Sequence, residues 1–228
     1  MPVQRVASLL SRPTHISLSV LVALLSVMLL APVSGFPVSD NVVEVPLLAM
    51  LGANDRGVFE VMVIQWDRKP EPDPVTLKWG MTRIKFLPTY VQALNRAIQY
   101  AKERTPSVRH TGTLWIHGVA YGPTSTDGPS AGAAMAVGFI AVFRGDKIQR
   151  GIALTGTIEP DGRIGPVGAI PDKVRAAVRE GCRTILIPQG QLSDPRWRLA
   201  GLGMELNVTI REVATVEAAY ELMTGQSL

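Results

Sequence analysis

The chain has 228 residues, a formal net charge of +4 and one cysteine. Its basic residues are scattered, with no Lys/Arg run and no interleaved aromatics, so the sequence offers no nucleic-acid-binding stripe. The single Cys182 excludes an intrachain disulfide framework and a cysteine-based zinc site, and reads as a buried inert thiol.

The first segment in chain order is apolar. Ile16–Ala31 (ISLSVLVALLSVMLLA) carries no charge, Arg5 and Arg12 precede it, and Pro32, Gly35 and Phe36 follow. A basic start and an apolar stretch describe a secretory signal peptide or a signal anchor. The run is shorter than the about 20 residues of a spanning helix, and extension to Phe36 brings it to that margin. Val33-Ser34-Gly35 is a weak cleavage site, so an uncleaved apolar helix within residues 1–36 is the preferred expectation. The arginines place the N-terminus in the cytoplasm and the rest of the chain beyond the membrane, anchored, or secreted if the leader is cut. Residues 37–50 read as a tether and 51–228 as one folded domain of ordinary size, its first structure emerging near Val42–Leu51.

Gly57–Trp66 (GVFEVMVIQW) is β-rich and partly alternating, which predicts a strand. Asp67–Pro74 is a polar, proline-rich loop, and Val75–Trp79 reads as the return strand of a hairpin. From Pro88 to Glu103 the spacing is helical, with Val91, Leu94, Ala97, Ile98 and Ala101 on one face. Gly112–Ala120 predicts a strand, and a helix begins in Ser125–Phe139 (STDGPSAGAAMAVGF) and ends near Phe143. Gly151–Ile158 predicts a strand followed by an Asp-Gly turn. Ala169–Glu180 predicts a helix closed by Gly181. Thr184–Pro188 and Asn207–Val213 predict strands, and Thr215 caps a last helix to Met223 with Glu217 in its first turn. Strands and helices mix without strict alternation, which predicts an α+β fold.

The helix start near Ser130 is built from Ser, Ala and Gly, so something comes close to its backbone. Three readings fit this pattern. Gly122–Ser130 resembles a phosphate loop, but five residues separate Gly122 from Gly128 and Pro129 stands where the lysine belongs, which argues against nucleotide binding. Alternatively, Ser130 is a nucleophile in the first turn, after a cap by Asp127 or Gly128 and with Pro129 at the helix start. Free N–H groups beside it, with Gly128 and Pro129 assigned to the oxyanion loop, would then form an oxyanion hole, and Gly132, Ala133 and Ala134 would leave room for a substrate backbone. The third reading is that the small residues serve tight helix packing.

A nucleophilic serine needs a base. His15 lies in the leader, His110 beside Arg109 in a loop, and His117 on a strand, either as a core or as a substrate-site residue. Lys173, in GAIPDKVRAAVREG, is the other candidate, surrounded by Ile170, Val174, Ala176 and Ala177. It would have to be held neutral, at a cost of roughly 4 kcal/mol in lost protonation. The alternative is a solvated lysine at a helix start.

Taken together, Asp127–Ala136 (DGPSAGAAMA), Leu154–Ala177 (LTGTIEPDGRIGPVGAIPDKVRAA) and Gly181–Pro188 (GCRTILIP) resemble the proteolytic domain of Lon proteases, the Ser-Lys endopeptidases. Lys173 lies 43 residues after Ser130, as in the family pattern. The resemblance runs roughly from Gly57 to the C-terminus. It implies the Lon proteolytic-domain fold of mixed sheets with packed helices, with Ser130 as nucleophile, Lys173 as general base, Thr155 supporting the lysine and Asp127 shaping the loop with Gly128 and Pro129. It implies no cofactor and no metal. It also implies polypeptide substrates and a tendency to form homo-oligomeric rings. Thr126 stands where many relatives carry lysine, Thr157 where glutamate is common, and GAIPDK replaces a more usual GG-x-K-E-K. No phosphate loop accompanies these motifs, which points to a stand-alone, ATP-independent, membrane-anchored serine endopeptidase acting on flexible or unfolded segments. The alternative is a non-catalytic Lon-like binding or assembly module.

Overall fold

The computed structural model describes residues 41–51, 56–69, 73–82, 84–120 and 124–228. The expected apolar helix within 1–36 lies outside the described residues. Among the described residues, no helix is long and apolar enough to cross a membrane.

Two long strands, β1 (Val42–Leu51) and β2 (Arg56–Asp67), pair antiparallel, with Val42 opposite Gln65 and Leu51 opposite Arg56. The stretch expected as a tether up to residue 50 is therefore strand from Val42 onward. Val43, Val45 and Leu47 alternate along it and are buried, which ties it to the core.

The expectation that Val75–Trp79 returns beside β2 is not met. β2 already has a neighbour on each side, β1 and the antiparallel β5 (Thr113–Val119), so β3 (Thr76–Thr82) pairs in parallel along the outer side of β5. A parallel pair needs a crossover, and α1 (Pro88–Arg104) supplies it. The buried face of α1 is Tyr90, Ala93, Leu94, Ala97, Tyr100 and Ala101, rotated slightly from the face through Val91 and Ile98. Two three-residue strands, β4 (Ile84–Phe86) and β6 (Thr124–Thr126), pair in parallel at the start of α1.

The centre of the fold is α2 (Gly132–Arg144), in which every residue from Gly132 to Phe143 is buried. A helix apolar on all sides needs cover on all sides. The cover comes from α1, from β1 and β2, and from α5 (Val216–Thr224). Close approach is built into the sequence: a Cβ on Gly138 would sit 2.3 Å from Val45 Cγ2, and one on Gly132 3.0 Å from Ile158 Cγ2.

A second, parallel sheet runs β11 (Thr209–Val213), β10 (Thr184–Pro188), β7 (Ile152–Leu154). Its central part is buried on both faces. Leu154 and Leu186 join the core around α2. Ala153, Ile185 and Ile187 join a second core with Leu48 and with Ile170, Val174 and Leu199 of α3 (Ile170–Arg179) and α4 (Leu199–Leu206). The single strand expected over Gly151–Ile158 is broken after Leu154, and resumes as β8 (Thr157–Ile158), which forms a hairpin with β9 (Ile164–Gly165).

One buried group is out of place by composition. Glu60 shares the inward face of β2 with Met62, Ile64 and Trp66, is 1% exposed, and neither carboxyl oxygen has a hydrogen-bond partner among the described residues. Burial pushes its carboxyl up to about 7, against a smaller opposing effect of the Thr126 hydroxyl. The folded state therefore holds a proton between the ordinary 4.5 and 7 that the unfolded chain has lost. Stability contributed by the neutral acid is fully present below pH 4.5 and falls by about 3 kcal/mol as pH rises through 7. Glu60→Gln is expected to match the native protein at pH 4 and to exceed it in stability at pH 8; urea denaturation at the two pH values checks this.

Candidate active site

Three elements converge at one point: the turn before α2 carries Ser130, the end of β7 carries Thr155, and the first turn of α3 carries Lys173. The Lys173 Nζ lies 2.9 Å from Ser130 Oγ and 3.2 Å from Thr155 Oγ1. Lys173 is 3% exposed and Thr155 1%, while Ser130 is half-buried and so remains open to a ligand.

The strand break after Leu154 builds this junction. Gly156 N–H donates to the Ser130 carbonyl (2.8 Å), and the Gly156 carbonyl accepts the Ala133 N–H (3.1 Å). The Thr155 N–H still bonds the Leu186 carbonyl of β10 (3.1 Å), and Gly156 then spends both its backbone polar groups on the start of α2 rather than on continuing the sheet. A Cβ on Gly156 would lie 2.2 Å from Ile164 Cγ2, so glycine is required for this fit.

The hydrogen bonds around Thr155 fix the orientation of the lysine amine. The Thr155 hydroxyl has one hydrogen, and donates it to the Ser130 carbonyl at 3.3 Å. Toward Lys173 it can then only accept. A neutral amine in this position gives one N–H to Thr155 Oγ1 and keeps its lone pair for the Ser130 hydroxyl hydrogen. Burial favours that neutral form, lowering the amine from 10.5 to about 8.

Ser130 does not sit in the first turn of α2, where the sequence places it. The helix begins at Gly132 with Ala131 as its cap, so Ser130 lies in the preceding turn, where Gly132 N–H closes onto the Pro129 carbonyl (3.0 Å). The oxyanion assignment of Gly128 and Pro129 also fails. The Gly128 N–H is donated to Thr89 Oγ1 at 2.7 Å, and proline has none. These two residues shape the loop, Gly128 through its φ of +90°. Among the described residues, the Ser130 and Ala131 N–H groups are the ones in this turn with no acceptor, and they are the donors left for a developing oxyanion. Gly132, Ala133 and Ala134 are covered by protein, so their smallness serves packing and not substrate access.

Asp127 is turned away from the lysine. Its Oδ1 accepts the N–H groups of Thr89 (3.2 Å) and Tyr90 (3.3 Å) and the Thr89 hydroxyl. It caps the start of α1, whose own Leu87 provides no side-chain cap. The Thr89 hydroxyl bond, followed by the Gly128 backbone, holds the carboxyl below its ordinary range. Thr89 is the functional residue that sequence reasoning missed. Its hydroxyl donates to Asp127 and accepts from Gly128, locking both sides of the turn, and only its place one residue after Pro88 hints at this.

Neither described histidine meets Ser130. His117, half-buried on β5, accepts the Met81 N–H at Nδ1 (3.1 Å) and packs on Gly80. His110 Nε2 bonds the Thr105 hydroxyl (2.8 Å), and its ring meets Phe143 edge-on. Cys182 is buried in the second core. Among the described residues, no cluster of His, Cys, Asp or Glu is placed to hold a metal ion.

A serine hydroxyl, a buried amine and a second hydroxyl within hydrogen-bond reach form an arrangement that nucleophilic hydrolysis could use. The family model of the Lon protease (S16) C-terminal proteolytic domain matches residues 88–216, and the chain belongs to that family of serine-type endopeptidases. It is similar to the Lon protease of Rhizobium meliloti, 38% identical over 106 residues, which are 46% of this chain and 12% of the relative. It is also similar to Lon protease 2 of Syntrophobacter fumaroxidans, 39% identical over 111 residues (48% and 13%), and to the Lon protease of Azorhizobium caulinodans, 34% identical over 109 residues (45% and 13%). The matched segment thus spans about an eighth of the length of these curated relatives.

Two stability effects follow from the geometry around Lys173. Because its folded pKa is below 10.5, the folded state holds fewer protons between pH 8 and 10.5, and stability rises with pH across that window. Lys173→Met is expected to abolish that rise and to be more stable than the native protein at pH 6 by about 1–3 kcal/mol, measured by chemical denaturation. The residue before α3, Ala169, adopts φ +53°, ψ +38°, a left-handed conformation costly for a residue with a Cβ. Ala169→Gly is expected to stabilise the fold by about 1 kcal/mol, read as a higher thermal midpoint.

Proposed function

We propose that this chain is an ATP-independent serine endopeptidase that cleaves flexible or unfolded polypeptides, with Ser130 as nucleophile and Lys173 as general base. The observation that carries the reading is the 2.9 Å contact between a buried amine and the Ser130 hydroxyl. Ser130 Oγ attacks the scissile carbonyl and its proton passes to Lys173 Nζ. The charged intermediate oxygen is received by the Ser130 and Ala131 N–H groups. Lys173 then gives the proton to the leaving amine as the peptide bond breaks and an ester forms on Ser130. Water attacks that ester, losing its proton to Lys173, and the acid product departs as the proton returns to Ser130. Thr155 keeps the amine aimed throughout.

Nucleophile, base and orienting hydroxyl all come from this one chain, and no step calls on a nucleotide. That is the support for independence from ATP. The apolar run Ile16–Ala31 behind Arg5 and Arg12 supports a membrane anchor with the catalytic domain beyond the cytoplasmic face. The ring-forming habit implied by the family pattern supports a homo-oligomer.

Ser130→Ala and Lys173→Ala are each expected to lower kcat by at least about 1,000-fold on an unstructured fluorogenic peptide while retaining the native circular dichroism spectrum. For the native protein, kcat/KM should rise with pH through a midpoint near 8, where the amine loses its proton, and should not respond to added ATP. Native-like turnover by a folded Ser130→Ala protein would refute the assignment.

A further inference from the structure

We propose that Gly57 is a positioning residue for the Lys173 amine: the missing side chain at the start of β2 sets how closely α3 lies against the strand, and so how far Nζ reaches toward Ser130. The inference rests on the Ser130–Lys173 reading and extends it to a residue outside the family match of 88–216.

A Cβ built on Gly57 would lie 2.0 Å from the Asp172 carbonyl oxygen, 2.4 Å from the Asp172 carbonyl carbon and 3.0 Å from Lys173 N. All three are backbone atoms of the peptide that enters Lys173, so no rotamer change relieves the contact. Gly57 does not have a left-handed φ, so the objection to a side chain is one of space and not of backbone conformation. The Lys173 N–H is itself bonded to the Ala169 carbonyl (3.2 Å), which fixes the peptide plane within the first turn. Relief therefore requires α3 to move as a body, by more than about 1 Å if ordinary contact distances are to be restored. The same glycine holds the far end of the helix, because its carbonyl accepts Arg179 Nη2 at 2.9 Å. One residue thus meets α3 at its first and last turns.

The Nζ–Oγ distance of 2.9 Å leaves little slack before the contact leaves hydrogen-bonding range. A misplacement of about 1 Å at a reacting group costs on the order of 100-fold in rate. The apolar side of α3 keeps its own anchors, Ile170, Val174 and Ala177 in the second core, so the helix can shift without being lost.

The test is the rate at which a fluorophosphonate labels Ser130 in the full chain, followed across pH and mapped by mass spectrometry. Gly57→Ala is expected to keep its helical spectrum, to label about 100-fold more slowly and to show a pH midpoint moved upward, as the amine retreats from its buried position. A folded Gly57→Ala protein with native rate and native midpoint overturns the inference. If that variant does not fold, Arg179→Met decides, since it frees the Gly57 carbonyl without adding an atom there: slower labelling with a raised midpoint supports the inference, and a native rate and midpoint overturn it. Lys173→Met separates this from the underlying mechanism. Native labelling of Lys173→Met would refute the lysine as base, whereas a silent Lys173→Met beside a native Gly57→Ala would refute only the role of Gly57.

Discussion

Keeping the Lys173 amine out of water is the constraint on which the other features depend. An exposed lysine is almost wholly charged at neutral pH and cannot take a proton from a hydroxyl. Here the side chain is buried, and among the described residues its amine meets the hydroxyl oxygens of Ser130 and Thr155. A carboxylate in contact would restore the charge and cancel the effect. Two acids elsewhere in the fold are committed to other surroundings. Asp127, three residues before Ser130, is committed to the start of α1, where it accepts three donors. Glu60 lies buried on β2 with its proton retained over much of the acid range. Among the described residues no carboxylate pairs with the amine to hold it cationic.

The crowding at the start of α2 has a consistent cause. The helix is the innermost element, and strands approach its backbone where Gly132 and Gly138 stand. Its first turn is then pinned by Gly156, in the break after β7, whose N–H also bonds the Ser130 carbonyl. The small residues thus do not make room for a ligand. They allow the end of a parallel strand and the start of a buried helix to meet, and the nucleophile stands in the turn where they meet. The strained Ala169 before α3 belongs to the same economy, since it bends the chain into the helix that delivers the lysine.

Much of the fold is legible in the sequence, and the failures have definite reasons. The spacing over Pro88–Glu103, the wholly apolar run after Gly132, and the Gly181 and Thr215 signals each mark a helix that is present. α4 gives no such signal: Leu199–Leu206 contains two glycines and starts from Arg198 in a left-handed conformation without a side-chain cap. The two- and three-residue strands are too short to show a period. The partner of β3 is invisible for another reason, because a hairpin is suggested by nearness along the chain while the true partner lies beyond α1. For the candidate site, motif and order single out Ser130, Lys173 and Thr155, which the structure brings together, and Asp127 in the loop, while Thr89 is missed because its bonds come from an element that precedes the loop by almost 40 residues.

By itself the sequence determined which residues meet the chemical requirements: a serine behind an Asp-Gly-Pro turn, a lysine at a set distance after it, and a threonine between them, all carried by periodic apolar segments. Tertiary structure alone decided that these three share one point, that the lysine is dry, that the serine precedes its helix and that the aspartate faces elsewhere. The reason is physical. Side-chain type and periodicity are local properties, whereas the protonation of an amine and the direction of a hydrogen bond depend on what is packed around them from distant parts of the chain.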